Sequence, residues 1–246
     1  MATIFIFMVL ILIFVKTPFG KGLIGEILVN LAIYIRLDKQ KYHLFKNVTL
    51  PTEKGTTQID HIIISKYGIF VIETKNMKGW IFGNTHQKTW TQKIYKYTNK
   101  FQNPLHQNYK HVKTLESILN IDKNKIFSII TFVGDSTFKT EMPDNVTYAG
   151  GFIRFIKSKN ITLFSAKEIE NIISKIESRR LAQTFKTHHT HVKHVKNIIK
   201  EKSNKKVCLK CNGILVKRVA KRGINKGNSF YGCSNYPKCK YTAKII

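Results

Sequence analysis

The sequence predicts an α/β domain built on a mixed sheet flanked by helices, followed by a small cysteine-rich module. Three observations carry this. The apolar pattern alternates between helical and strand-like periods along the chain. A turn sequence, Lys66-Tyr67-Gly68, separates two strand-like runs, 58–65 and 68–75. All four cysteines lie between positions 208 and 239.

Residues 1–15 are almost wholly apolar, with no charged side chain before Lys16. A spanning helix needs about 20 apolar residues, and Thr17, Pro18 and Phe19 extend this run into an interface. Residues 1–16 are therefore a membrane-anchor candidate, with an N-terminal element docked on the core as the alternative. Lys16 and Lys21 favour a cytoplasmic location for the rest of the chain, at the inner face of the cell membrane. No basic n-region or small-residue cleavage site is present, so a cleaved signal peptide is not expected.

From Gly22 a helical pattern begins, with Leu23, Ile24, Ile27, Leu28 and Leu31 forming an apolar stripe whose edge Glu26 interrupts. Residues 42–50 read as a strand and 51–56 as a polar turn. The two strands over 58–65 and 68–75 form a hairpin. Residues 77–90, with their Gly and Lys, read as hairpin or loop. Asn103-Pro104 starts a helix that carries Leu105, Tyr109, Val112, Leu115, Ile118 and Leu119 on one side. Residues 125–133 are an apolar strand ended by Gly134-Asp135, and 166–181 form the last helix. Helix, three strands, helix and strand in this order suggest the mixed sheet. The domain spans 20–181, with its motifs within 20–135. A basic linker, 182–205, carries four of the nine histidines (His188, His189, His191, His194) and reads as a solvated segment rather than a metal site. The cysteine module is 206–246.

Lys and Arg number 42 against 14 Asp and Glu, a net charge of +28. Such a field favours polyanions, nucleic acid before an anionic membrane surface, although AT-rich codon usage also raises Lys. Against this scarcity of acids, Asp60 and Glu73 stand out inside apolar strands. Glu73 and Lys75 share a strand face. If Ser65 pairs with Gly68, Asp60 falls opposite Glu73; a bulge at Gly68 would shift the register by one. Facing carboxylates repel. A divalent cation between them removes the conflict, and a nearby ammonium orients water or substrate. That is the chemistry of metal-dependent phosphodiester cleavage.

Cys208 and Cys211 form a C-x2-C pair, and Cys233 and Cys239 a C-x5-C pair, with 21 residues between the pairs. Two close thiol pairs suit tetrahedral Zn²⁺. A cytoplasmic location argues against disulfides, and the lack of a surrounding βαβ pattern argues against a redox site. A segment this short has little core, so metal binding stabilises it. From Leu181 to Ile246 there are 16 Lys or Arg and one acid. Lys217, Arg218, Lys221 and Arg222 are thus candidates for phosphate contact. Phe230, Tyr231, Tyr236 and Tyr241 are candidates for stacking on unpaired bases, or for the module's own small core, which at least two are expected to join.

Two resemblances cover most of the chain. Cys208-x2-Cys211-Asn-Gly213, followed by Ser229-Phe-Tyr-Gly-Cys-Ser-Asn-Tyr-Pro-Lys-Cys-Lys-Tyr241, resembles the C-terminal zinc ribbon of bacterial type I DNA topoisomerases. That resemblance implies structural zinc and single-stranded DNA binding; the rest of the chain is too short for a topoisomerase catalytic domain. Gly22-x2-Gly25-Glu26, Gln58-Ile-Asp60-His61, Phe70-Val-Ile-Glu73-Thr-Lys75-Asn76, Gly79, Trp90 and Asn103-Pro-Leu-x-Gln107-Asn108 together resemble the nuclease-related domain (NERD) family. That family is similar to PD-(D/E)xK nucleases of restriction-endonuclease-like fold. One departure is Ile59, where a proline commonly precedes the Asp.

Carried over by position, the second resemblance implies that Asp60 and Glu73 bind Mg²⁺ or Mn²⁺, with the Thr74 carbonyl and Glu26 completing the site. Lys75 would orient the attacking water and offset transition-state charge, and Gln107 would position phosphate or water. His61 is expected to be a packed or exposed strand residue rather than a general base. The leading reading is a membrane-tethered, cytoplasmic nuclease acting on DNA, single-stranded or damaged, that the ribbon holds. The alternatives are a non-catalytic DNA-binding protein that keeps the nuclease fold as a scaffold, and a peripheral membrane protein whose charge serves lipid headgroups.

Overall fold

The computed structural model describes residues 7, 13–53, 55–182, 192, 193, 208, 210, 211, 213–220 and 227–244. Most of the anchor candidate, most of the linker with its histidines, and Lys221 and Arg222 lie outside the described residues. The chain divides into two compact units, Met1–Thr187 and His188–Ile246.

The first unit is a mixed sheet between helices. Helix α1 (Pro18–Arg36) leads into strands β1 (His43–Thr52), β2 (Gly55–Ser65) and β3 (Gly68–Asn76). Strands β4 (Gly79–Phe82), β5 (Thr89–Ile94) and β6 (Tyr97–Gln102) then precede helix α2 (Pro104–Leu119). Strands β7 (Ile126–Val133), β8 (Ser136–Phe138) and β9 (Val146–Tyr148), and helices α3 (Gly151–Ser158) and α4 (Ala166–Arg179), complete it. The main sheet has the order β1-β2-β3-β7-β9. Its first three strands are antiparallel, and β7 and β9 continue it in parallel.

Strands β2 and β3 are buried on both faces, which accounts for their nearly continuous Ile, Val and Phe. Ile62, Ile64, Ile69 and Val71 pack with Val112, Leu115 and Leu119 of α2 and with Ile172 and Ile176 of α4. Ile63, Phe70 and Ile72 pack on the other side with Val29 and Ile33 of α1 and Phe152 and Ile156 of α3.

Helix α1 begins at Thr17, whose hydroxyl caps Gly20 N, with Pro18 in the first turn where no backbone donor is needed. The stripe expected to be its apolar face is not the face that packs. Leu23, Ile27, Leu28 and Leu31 are exposed, while Gly25, Val29 and Ile33 are buried. The helix is apolar on both sides, and the sheet takes the side on which a glycine allows close approach. A Cβ on Gly25 would lie 2.9 Å from Asn76 Cβ and 3.2 Å from Val133 Cγ2. Asn76 ties the contact down by donating from Nδ2 to the Lys21 carbonyl at 2.7 Å.

A second sheet, ordered β6-β5-β4-β8, begins within 77–90, the segment expected to be hairpin or loop, and extends beyond it to Gln102 and to β8. Its inner side is organised by Trp90, which is fully buried, stacks on Phe132 with centroids 6.2 Å apart, and donates to the Asn84 carbonyl at 2.9 Å. These strands are short and rich in Thr, Gln, Asn and Lys, so alternation alone hides them.

The close approach at Gly25 predicts a concrete outcome. Gly25→Val should force α1 away from β3 and cost roughly 1–3 kcal/mol. Urea unfolding followed by tryptophan fluorescence would read this, since both tryptophans lie in the first unit. An unchanged midpoint would mean that the contact does not constrain the helix.

Candidate functional site

Ser65 pairs with Gly68, so the hairpin closes on two residues without a bulge, and Gly68 takes the positive φ of 137° that the turn requires. The β2–β3 ladder runs from there to His61 opposite Ile72 and stops. On the other side of β2 the β1 ladder passes from Lys46–His61 to Val48–Ile59, skipping Asn47, whose φ is 51°. Asp60 therefore sits where regular pairing lapses on both sides of its strand. Its Oδ2 accepts a 2.8 Å hydrogen bond from Thr74 N instead. The sheet opens at the position where Asp60 and Glu73 come together.

Glu73 is 2% exposed. Its Oε1 accepts from Lys75 Nζ at 2.6 Å, and its Oε2 lies 3.3 Å from His111 Nε2. Lys75 Nζ also donates to Gln107 Oε1 at 3.0 Å, and His111 Nδ1 lies 2.8 Å from Thr57 Oγ1. Gln107 and His111 are one helical turn apart on α2 and meet the strands together. Two asparagines fix that helix. Asn103 caps it, accepting from Leu105 N at 2.9 Å while its Nδ2 donates to the Gln87 carbonyl at 2.7 Å. Asn108 is fully buried and donates to the Val71 carbonyl at 2.8 Å and to Ser128 Oγ at 2.9 Å.

Burial opposes charge on Glu73, yet Lys75 and His111 beside it hold its carboxyl below the ordinary value. Lys75 is likewise disfavoured by burial and held above its usual value by Glu73. Asp60 goes the other way. Burial, then the charge of Glu73, push it well above the usual carboxylate range, and Glu26 adds to the push; the Thr74 amide and Lys75 pull back less. Glu26 reaches this group from α1. Burial raises its carboxyl, a hydrogen bond from the Asn47 side chain lowers it, and Glu73 raises it again. His61 is 1% exposed, and burial followed by the charge of Lys46 lowers its imidazole to about 4. Of the two placements left open for it, the packed one holds.

The second unit is a three-stranded antiparallel sheet of β10 (Leu215–Val219), β11 (Ser229–Cys233) and β12 (Thr242–Lys244). The sulfurs of Cys208, Cys211, Cys233 and Cys239 all lie within 4.8 Å of one another, and none is in a disulfide. Among the described residues they alone bring three or more potential ligand atoms that close. The Gly213 backbone draws the Cys211 thiol down to about 6, while burial pushes Cys233 up to about 12. Thiolate donors converging in this way are the ligand set of a structural zinc. Tyr231 and Tyr241 pack against the cysteines and Leu215 as the unit's core. Tyr236 is exposed, with the Arg218 guanidinium 5.6 Å from its ring centroid. Arg218, Phe230, Tyr236 and Lys240 line one groove, and Lys217 is exposed on β10.

Asp60 is thus hydrogen-bonded to Thr74 N, Glu73, Lys75 and Gln107 form a separate hydrogen-bonded chain, and Glu26 is coupled electrostatically; unlike the four sulfurs, the three carboxylates do not bring their oxygens within 4.8 Å of one another. Sequence reasoning did not identify His111, Thr57 or Asn47. The spacing from Gln107 to His111 was the available signal for the first. An Asn inside an apolar strand was the signal for the last, since Asn tolerates left-handed backbone.

Residues 21–133 match the family model of the nuclease-related domain, and residues 205–245 match that of the topoisomerase DNA binding C4 zinc finger. The chain carries both domains. An uncharacterized protein of Bacillus anthracis is 50% identical over 103 residues, covering 42% of this chain and 48% of that protein. DNA topoisomerase 1 of Methanocaldococcus jannaschii is 45% identical over 47 residues, covering 19% of this chain and 6% of the relative. The chain thus spans about half or less of the length of these curated relatives. No solved structure matches it.

The opposite shifts at the site predict opposite effects on stability in metal-free buffer. Asp60, raised in the fold, contributes stability that is present below its unfolded value and lost as pH rises through its folded value. Asp60→Asn should therefore raise Tm at pH 8, with the gain shrinking toward pH 4. Glu73, lowered in the fold, contributes stability above its unfolded value that is lost as pH falls. Glu73→Gln should destabilise at neutral pH by about 3–5 kcal/mol, because it strands Lys75 and His111. Thermal melts from pH 4 to 8 test both, and shifts of the same sign would refute the assignment.

Removing zinc should unfold the second unit while sparing the first. Limited proteolysis after chelation would cut within 208–244, with tryptophan emission unchanged; a coincident loss of both signals would contradict independent units.

Proposed function

We propose that the chain, a nuclease-related domain joined to a topoisomerase-type zinc ribbon, is a metal-dependent nuclease that hydrolyses DNA phosphodiester bonds. The observation that carries the reading is the grouping of Asp60, Glu73 and Lys75, with Gln107 bonded to the lysine, where the sheet opens. The carboxylate and carbonyl oxygens here are the hard donors that a divalent cation prefers, and Asp60 lies in the negative field of both Glu73 and Glu26. Asp60, Glu73, Glu26 and the Thr74 carbonyl would hold Mg²⁺ or Mn²⁺. When bound, such an ion lowers the pKa of a coordinated water and neutralises phosphoryl oxygens.

Lys75 has the protein's own part in the chemistry. It neutralises Glu73 now. Were a cation to do that, its ammonium would be free to orient the attacking water or to offset charge on the phosphorane-like transition state. Gln107 holds the Lys75 side chain in place and offers an amide to phosphate or water. His111 keeps Glu73 ionised and oriented from the side away from Lys75.

The zinc ribbon supplies DNA affinity through cations and Tyr236, with unpaired or damaged DNA as the preferred form. Tethering on one chain raises the local concentration of substrate. The protein would lie on the cytoplasmic face of the membrane, held by residues 1–16. Helix α1 is long and apolar enough to cross a membrane, but Gly25, Val29 and Ile33 pack on the sheet. Its exposed side, with Leu23, Ile27, Leu31 and Ile35, would rest against the bilayer instead.

A second reading, a DNA-binding scaffold without catalysis, is favoured by one observation: the Lys75 ammonium already pairs with Glu73, and His111 lies against its other oxygen, without a metal. Incubation of the chain with single-stranded and duplex DNA plus Mg²⁺ or Mn²⁺ separates the two. Cleavage is expected to be metal-dependent, and Asp60→Ala and Lys75→Ala should each lower it on the order of 10²-fold or more. Binding without cleavage in all three proteins would favour the scaffold.

A further inference from the structure

We propose that the outer face of the second sheet, together with the tip of its β5–β6 hairpin, is a stacking platform for unpaired bases of a nucleic acid strand. This would be a second nucleic-acid grip, belonging to the nuclease-related domain itself rather than to the zinc ribbon. It rests on the reading that the chain acts on nucleic acid.

The sheet has two unlike faces. Ile81, Trp90 and Phe101 point inward and pack with Phe132 and Phe138. Trp80 points outward and is 47% exposed. It pairs across the ladders with Lys93 on one side and Thr137 on the other. Two ammonium groups lie against its ring, Lys139 Nζ at 4.8 Å and Lys93 Nζ at 5.9 Å from the centroid. On β6 the same face carries Thr98, opposite Lys93, and Lys100, opposite Thr91. An exposed indole ringed by lysines presents a π-surface for a base beside charges for its phosphates.

The hairpin tip is an independent observation. Ile94 pairs with Tyr97, which leaves Tyr95 and Lys96 as the loop. Tyr95 has a φ of 51° and is 93% exposed. Gly or Asn would hold this backbone at less cost. A bulky aromatic there gains nothing from packing, so folding does not account for it. Tyr97 beside it is 69% exposed, with Lys96 Nζ 5.8 Å from its ring centroid.

Charge supports the same partner. Residues 77–102 hold five lysines and no acid. The segment also begins two residues after Lys75 and ends five before Gln107, so in sequence it lies between two residues of the candidate site.

The test uses the full chain and a fluorescein-labelled oligothymidylate, with no added Mg²⁺ or Mn²⁺. Trp80→Thr and Tyr95→Gly should each weaken binding roughly five- to hundredfold. Tyr95→Gly should melt at or above the parent temperature, because glycine accepts the left-handed backbone, so its loss of affinity cannot be misfolding. Oligonucleotides carrying 5-bromouracil should photocrosslink to peptides that contain Trp80 or Tyr95. Unchanged affinity in both variants, with crosslinks confined to 206–246, overturns the platform. Loss of binding to phosphatidylglycerol vesicles with oligonucleotide affinity intact overturns it in favour of a lipid contact. Cleavage by the parent and Lys75→Ala proteins is read in parallel. Metal-dependent cleavage with normal binding by the variants sinks the platform alone. Platform-dependent binding without any cleavage sinks the nuclease reading alone.

Discussion

A buried negative charge on Glu73 is the constraint around which the first unit is arranged. A carboxylate at 2% exposure is tolerable only if cations or donors meet it from several directions. Lys75 comes from the same strand face, and His111 comes from α2. The helix must therefore sit at one height and one rotation. Asn103 sets where it starts, and Asn108 sets which side faces the sheet by bonding to β3 and β7. These amides do not pack as hydrocarbon would. They cost desolvation and return it as orientation, which a greasy interface supplies poorly.

The same constraint explains the break in the sheet. Continuous ladders through Asp60 would place two carboxylates face to face at normal strand spacing. Instead Asn47 leaves the β1 ladder, the β2–β3 ladder ends at His61, and Thr74 N turns to the Asp60 side chain. The backbone donor that pairing would have used stabilises the carboxylate. On the far face, Gly25 brings α1 close enough for Glu26 to feel the same field. A larger residue would hold the helix off the strand and Glu26 with it.

Much of this was legible because it is local. The hairpin register follows from a two-residue turn and Gly68, and it places Asp60 and Glu73 together before any tertiary contact is known. The start of α2 is readable from Asn103 and Pro104, and the four-sulfur cluster from its spacing. What stayed hidden depends on choices between faces. Helix α1 offers two apolar sides, and only the sheet decides that Val29 and Ile33 go in while Leu23 and Ile27 stay out. On α2, Tyr109 is exposed and the polar Asn108 and His111 are buried, the reverse of a hydrophobic reading. Neither could be chosen without knowing that Glu73 needed a partner there. The second sheet is hidden for a different reason: its strands are short and polar on the side that solvent or a partner meets.

The two central carboxylates are not equivalent. Glu73 is ionised by its neighbours, while burial and those same acids make Asp60 prone to hold a proton. The field that raises Asp60 is the field that would attract a cation. On the proposal that Asp60 is a metal ligand, it would have to give up its proton to bind, which would tie metal affinity to pH through this residue. Glu73 carries no such penalty, because Lys75 and His111 already hold it ionised.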